Sequence, residues 1–563
     1  MKVTKSIVSA ILFLMACTLF AQTSDDAMKL LEMKQYNRAK KAFQLNLVSS
    51  SSASDWYYLG KIYSFQAKSD SAKICFAKIA IADPKSILGS VAQAINEVSS
   101  GNSSQAIITL QKAQKMAIAT KDILALVEIA QVRYQAGDTA SWTIPLVLAS
   151  GIDPKSPKPY IRAGEIYQLQ GVKSKNLNYF LGLASGRYEQ ALYYAPDNLQ
   201  ARSGQADIFF LSGNYTESEE YLLTVMAKDS NYIPALKTYG ELAYTMGKYE
   251  KASRYFGRYM TLSEYTEKDL LRYITILYFN KEYDKANNLI SPVLAQDPTN
   301  VVMLRLKGYI SYELKKYQDG LTAMSKFFSL RAEADTNKIT STDYEYYGKL
   351  FSRSGNDSLA IMNFKKAVEI DPTKSGLLED ISKSFEKQKK YLQAVEYYNK
   401  YIAAKHGDVA SAIYFSMGKD LLLIANDAST DSVQRLNYLA FADTSFRKVI
   451  EMSPNSHLGY LWHARIEAAF DPETTEGLAK ADYEKTLSIL EQKADKEKNK
   501  TDLIEGYRYM GYYTYLQYDK AKILKDDTAM NEAKNASLSY WQKVLELDPE
   551  NDVAKQAINA LNK

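Results

Sequence analysis

LQARSGQADIFFLSGNYTESEEYLLTVMAKDSNY (199–232) runs directly into IPALKTYGELAYTMGKYEKASRYFGRYMTLSEYT (233–266), and both stretches keep a register of 34 residues. The register continues from Glu267 and from Val301. Position 17 is Tyr215, Tyr249, Tyr283 and Tyr317, four tyrosines in step. Position 8 is Ala206, Gly240, Ile274 and Gly308, and position 20 is Ser218, Ala252, Ala286 and Gly320. Positions 4, 7, 8 and 11 lie at i, i+3, i+4 and i+7 spacing, the stripe of one helical face. Turn residues then separate a second periodic segment, as in Ser212-Gly213-Asn214 and Met246-Gly247-Lys248. Each unit therefore predicts two helices joined by a tight turn. Small residues at positions 8 and 20 let the two approach, and the aromatics fill the space between neighbouring pairs. One such pair cannot bury its stripe alone, so neighbours must stack.

Outward from this block the pattern recurs along the chain. From Ala53, Trp56, Leu59, Gly60, Tyr63, Ala72, Phe76 and Pro84 fall at positions 4, 7, 8, 11, 20, 24 and 32. This resembles the tetratricopeptide repeat, W-x2-L-G-x2-Y followed by A, F and P in 34 residues. Fourteen starts are legible, near 20, 53, 87, 123, 157, 199, 233, 267, 301, 341, 375, 411, 457 and 504. Those near 20, 87 and 411 match poorly. Asp-Pro pairs close the second helix at Asp83-Pro84, Asp153-Pro154, Asp297-Pro298, Asp371-Pro372 and Asp548-Pro549, since proline cannot continue the hydrogen-bond ladder. The resemblance implies an all-α, right-handed α-solenoid of about 13–14 hairpins. Asn551–Lys563 would cap the last apolar face. The period is interrupted near 171–178, 333–338, 426–439, 471–477 and 491–500, and the charged run of the last reads as a solvated helix extension. A boundary between sub-arrays 22–410 and 411–563 follows from this loss of regularity.

Residues 1–21 read as an export signal: Lys2 and Lys5, then an apolar run from Ile7 to Cys17, too short to span a bilayer, then Ala21 at the expected cut. Leu14-Met15-Ala16-Cys17 also resembles a bacterial lipobox, which would make Cys17 a lipid anchor. The expected location is the periplasm, or the outer membrane if Cys17 is lipidated. No transmembrane helix is expected in the mature chain. Losing residues 1–21 removes two lysines and lowers the net charge from +5 to +3. No basic block stands out in the 563 residues, so nucleic acid is not an expected partner. Cys75 is then the single cysteine and is expected as a small buried apolar residue.

Chemistry is sparse. There are 3 histidines, and His457 and His463 lie six apart, off a common helical face. No HExxH, CxxC, phosphate-loop or GxSxG motif occurs. No enzyme activity, cofactor or metal is expected. The resemblance implies peptide or protein binding on a concave face lined by positions 2, 5, 9, 12 and 13 of each first helix. Position 12 carries an aromatic column, Phe210, Tyr244, Tyr278 and Tyr312; Arg305 and Tyr309 hold positions 5 and 9 beside it. Position 9 changes sign, from Glu165, Asp207 and Glu241 to Lys349, Lys383, Lys419 and Arg465. Glu345–Lys349, Glu379–Lys383 and Lys237–Glu241 are spaced as intrahelical pairs, whereas Lys419 and Arg465 have Phe415 and Leu461 in place of the acid. The expected function is a non-enzymatic interaction scaffold of the cell envelope. A glycan- or peptidoglycan-capture protein with a tyrosine-lined groove is the alternative, weakened because only 4 tryptophans are present against 44 tyrosines. An envelope hydrolase ranks last.

Overall fold

The computed structural model describes residues 24–334, 339–493 and 496–563. The expected leader, with Cys17, lies outside them, as does most of the interruption at 333–338. Among the described residues there is no strand, and fourteen helical hairpins follow one another before a last helix, Asp552–Asn562. The quoted block folds as read. Its helices are Leu199–Leu211 with Tyr215–Lys228 and Ile233–Thr245 with Tyr249–Leu262, followed by Glu267–Phe279 with Tyr283–Gln296 and Val301–Glu313 with Tyr317–Ala334.

Local chemistry sets the ends of these helices. Asn198 and Asn300 accept from the backbone N–H groups of Ala201 and Met303. Thr266 with Asp269, and Thr340 with Asp343, form reciprocal capping boxes. At position 15 the chain turns through the left-handed region, at Gly213, Gly247, Lys281 and Lys315. Position 8 meets the ring or thioether of position 24: a Cβ added at Gly240 would lie 2.8 Å from Phe256 Cβ, and one at Gly308 would lie 2.3 Å from Met324 Sδ. Cys75 is 4% exposed, and burial pushes its thiol up to about 11, a small apolar filler as expected.

The chain divides into two compact units, Met1–Leu289 and Ile290–Lys563. The division falls within Tyr283–Gln296, a helix with Pro292 in its interior. The sub-array boundary expected at 410/411 lies inside the second unit. The irregularities are absorbed in different ways. The insertion near 171–178 lengthens Lys158–Lys173 to 16 residues and Leu177–Tyr194 to 18. The run at 491–500 is no helix extension: one helix stops at Glu491, a short 3-10 turn spans Glu497–Asn499, and the next helix starts at Lys500. That next hairpin is the longest, Lys500–Leu524 with Asp527–Leu547. No described helix is long and apolar enough to cross a membrane.

Candidate functional site

The position-12 rings are half-buried, and each packs on the position-17 ring of its own hairpin. Phe210–Tyr215, Tyr244–Tyr249, Tyr278–Tyr283 and Tyr312–Tyr317 have centroids 6.2, 6.0, 6.1 and 6.0 Å apart, all tilted. Neighbouring repeats add cations: the Arg272 guanidinium lies 4.9 Å over Tyr244, and Lys349 lies 5.9 Å over Tyr312. Arg305 grips Asp343 with two hydrogen bonds, of 2.7 and 2.9 Å, and the Tyr309 hydroxyl donates to the same carboxylate at 2.7 Å. Asp343 is fully buried and caps the following helix, so both side chains brace one repeat against the next.

The position-9 charges are tied in the same way. In the first unit Glu165 accepts from Gln200 at 2.9 Å, Asp207 from Thr238 at 2.6 Å, and Glu241 from Arg272 at 3.1 Å. Each partner comes from the next repeat. The expected Lys237–Glu241 pair is not formed; Lys237 reaches Asp269 at 2.6 Å instead. In the second unit Lys349 and Lys383 do pair with Glu345 and Glu379. Arg465 finds its acid in the next hairpin, with two bonds of 2.8 and 2.7 Å to Glu505.

Within the first unit the inner surface is also occupied. Glu128 is buried and accepts from Tyr57 at 2.8 Å and from Lys61, with Arg162 at 3.5 Å. Burial pushes the Glu128 carboxyl up, but Lys61 and Arg162 outweigh it and hold it below the usual range. The tip of the first hairpin then reaches across. Met33 packs beside the cluster of Leu222, Tyr232 and Tyr239. Glu264 accepts from the backbone N–H groups of Asn37 and Arg38, more than 220 residues away in sequence.

The second unit offers an open surface. Trp462 takes Lys419 on its ring at 5.3 Å and Arg465 at 4.3 Å, and Phe415 meets it edge-on at 5.7 Å. The structure thus brings together Lys419 and Arg465, which are 46 residues apart. Beyond Arg465 the Glu505 carboxylate also accepts from Tyr483 at 3.0 Å. Past it opens a cavity of about 570 Å³, bordered by Glu505, Arg508, Tyr509, Tyr512, Trp541 and Val553 among others. Trp541 is 4% exposed; its indole N–H is turned toward Gly511, shielded from water, and has no hydrogen-bond partner among the described residues. Arg508 and Tyr512 are exposed at the rim. Counted from Ile504, Glu505, Arg508 and Tyr512 hold positions 2, 5 and 9. These are positions of the face that the register assigns to binding, whereas the aromatic column drew attention to position 12. Trp541, from a second helix, carried no signal.

Two family models match. One described as tetratricopeptide repeat covers residues 181–232, and one described as anaphase-promoting complex, cyclosome, subunit 3 covers residues 246–327. Anaphase-promoting complex subunit 3 of Schizosaccharomyces pombe is 24% identical over 161 residues, 28% of this chain. That match spans 23% of the relative's own length. Among solved structures, the C-terminal part of a TPR repeat-containing protein from Cytophaga hutchinsonii is 29% identical, with 51% of this chain and 99% of that one covered and a TM-score of 0.39. A tetratricopeptide repeat protein from Parabacteroides merdae is 18% identical, with 47% and 98% covered and a TM-score of 0.29. With two matches lying on helical hairpins, and fourteen such hairpins in succession among the described residues, the chain has the fold of a tetratricopeptide-repeat solenoid.

Proposed function

We propose that the chain is a non-enzymatic scaffold of the cell envelope that binds an extended protein segment at the cavity of its last hairpin. The observation that carries this is the wall of that cavity. The Tyr509, Tyr512 and Trp541 rings and the exposed Arg508 guanidinium together suit a segment with an apolar side chain beside a carboxylate. The occupied inner surface of the first unit directs the proposal to the second.

Selection of peptides from a displayed library on the full chain supplies the probe. Arg508→Ala with Tyr512→Ala should weaken a selected peptide about tenfold or more, 1.4 kcal/mol. Unchanged affinity would remove the cavity from the proposal. The combined change Tyr244→Ala, Tyr278→Ala and Tyr312→Ala serves as the contrast, and is expected to lower the melting temperature while leaving peptide affinity in place. Binding of isolated cell-wall polymer by the full chain alone, with no peptide selected, would favour glycan capture instead.

Export is part of the same proposal and rests on residues 1–21. Intact-mass analysis of protein made in its native host distinguishes an N-terminus at Gln22 from a diacylated Cys17. Recovery of the full-length chain would refute both.

A further inference from the structure

Three consecutive helices of the second unit converge on one imidazole. His463 lies on His457–Phe470, and its side chain is 6% exposed. Its Nε2 is 2.7 Å from Asp443 Oδ1, on Ser432–Met452. Its Nδ1 touches Asp482 Oδ2, on Lys480–Glu491. One helical turn along, Glu467 Oε1 lies 3.9 Å from the same nitrogen. Arg447 donates to the far oxygen of Asp443 at 2.9 Å. Nδ1 and one oxygen each of Glu467 and Asp482 all fall within 4.8 Å of one another. The other Glu467 oxygen is shielded from water and has no hydrogen-bond partner among the described residues.

The charges do not close. Three carboxylates face one imidazole and one guanidinium, leaving two negative charges if the imidazole is neutral. The imidazole is already arranged for ligation. A carboxylate lies on each ring nitrogen; when Nδ1 gives up its proton to an ion, the Nε2–H bonded to Asp443 holds the ring in the orientation usual for a metal-bound histidine. A tetrahedral ion with bonds of about 2.0–2.1 Å spaces its ligands about 3.3 Å apart, so small side-chain rotations suffice. One imidazole with carboxylates suits zinc and its neighbours better than calcium or magnesium, which favour all-oxygen shells.

We propose that His463, Glu467 and Asp482 bind a divalent transition-metal ion of the zinc class, with Asp443 orienting the imidazole and water completing the shell. The ion would tie His457–Phe470 to Lys480–Glu491 across the irregular connection at 471–479. Asp443, on the preceding helix, would join the same network.

The test is Zn2+ titration of the chelator-stripped full chain against a chromogenic competitor, with Co2+ absorption as an independent readout. The expected result is one equivalent bound with a Kd below about 10 µM, visible d–d bands with Co2+ and a raised melting temperature. Glu467→Gln with Asp482→Asn should lose about 100-fold or more in affinity, and Asp443→Asn, which keeps all three ligands, about 10–100-fold. The metal-free Gln/Asn variant should melt no lower than wild type, because it removes buried charge, so a fold defect is distinguishable from a lost site. His457→Gln should change nothing. Wild-type binding weaker than about 100 µM, or affinity unchanged in the Gln/Asn variant, would overturn the site and leave the cluster as an imidazolium held between carboxylates.

Discussion

Asp420 is a carboxyl held out of water. It is 4% exposed, and one of its oxygens has no hydrogen-bond partner among the described residues. Burial, and then the neighbouring Glu386 carboxylate, push it up to about 8. Glu386 in turn accepts from the Tyr398 hydroxyl at 2.9 Å. An unfolded Asp titrates near 3.9. Between these two values the folded chain holds a proton that the unfolded chain has released, so stability falls as pH rises through the window, by up to about 1.4 kcal/mol per unit. Asparagine mimics the protonated acid and does not titrate. Asp420→Asn should therefore match wild type at pH 4 and melt progressively higher than it up to pH 8. A constant gap in melting temperature across that range would show that Asp420 is ionised in the folded chain. Glu386 and Asp420 are 34 residues apart, one repeat length. The sequence shows the spacing but not that the two acids face each other.

At the scale of the element, the hairpin is held by what fits at position 8. Gly240 faces the Phe256 Cβ and its backbone nitrogen, at 2.8 and 3.0 Å from an added Cβ, and backbone cannot rotate away. Gly308 faces only the flexible end of Met324. Alanine gains up to about 1 kcal/mol of helix propensity at either site, and overpacking costs about 1–3 kcal/mol where nothing yields. Gly240→Ala should be destabilising by about 1–2 kcal/mol and Gly308→Ala close to neutral, measured by thermal unfolding; equal effects would mean that helix separation, not the neighbour, sets the cost. Lys281 and Lys315 occupy the left-handed turn that glycine takes at 213 and 247. Lys281→Gly should stabilise by about 0.5 kcal/mol, relief of Cβ strain slightly exceeding added chain entropy. Helix starts were legible wherever small, aromatic and turn residues agree, as at Leu199, Ile233, Glu267 and Val301. At the last hairpin the start was read near 504, four residues inside Lys500–Leu524, which runs unbroken for 25 residues. Site residues divide likewise. A register places Arg465 on the inner face but cannot show that Glu505, 40 residues on, will grip it. Nor could it show that Glu467, four residues after His463, would be joined by Asp482.

At the scale of the molecule, each unit uses its inner face differently. The second keeps a cavity, and the first fills its face with the Lys61–Glu128–Arg162 network and with its own first hairpin. Glu264 is an exposed cap on Tyr36–Ser49, worth about 1 kcal/mol. Glu264→Ala should speed hydrogen exchange at Asn37 and Arg38 about fivefold and leave the amides of the second unit unchanged. Unaltered exchange at those two amides would mean that Met33 and its apolar neighbours alone hold the tip.

That contact also changes how the first unit should come apart. A stack of hairpins joined only to nearest neighbours frays from its ends, because a terminal hairpin has one interface to lose and an internal one has two. Tying the first hairpin to residues of the sixth and seventh gives it a second interface. The unit then has one fewer loose end, and its early hairpins should melt as a block instead of peeling one by one. Closing a loop of more than 220 residues is slow, so refolding should lag behind that of an open array of equal length.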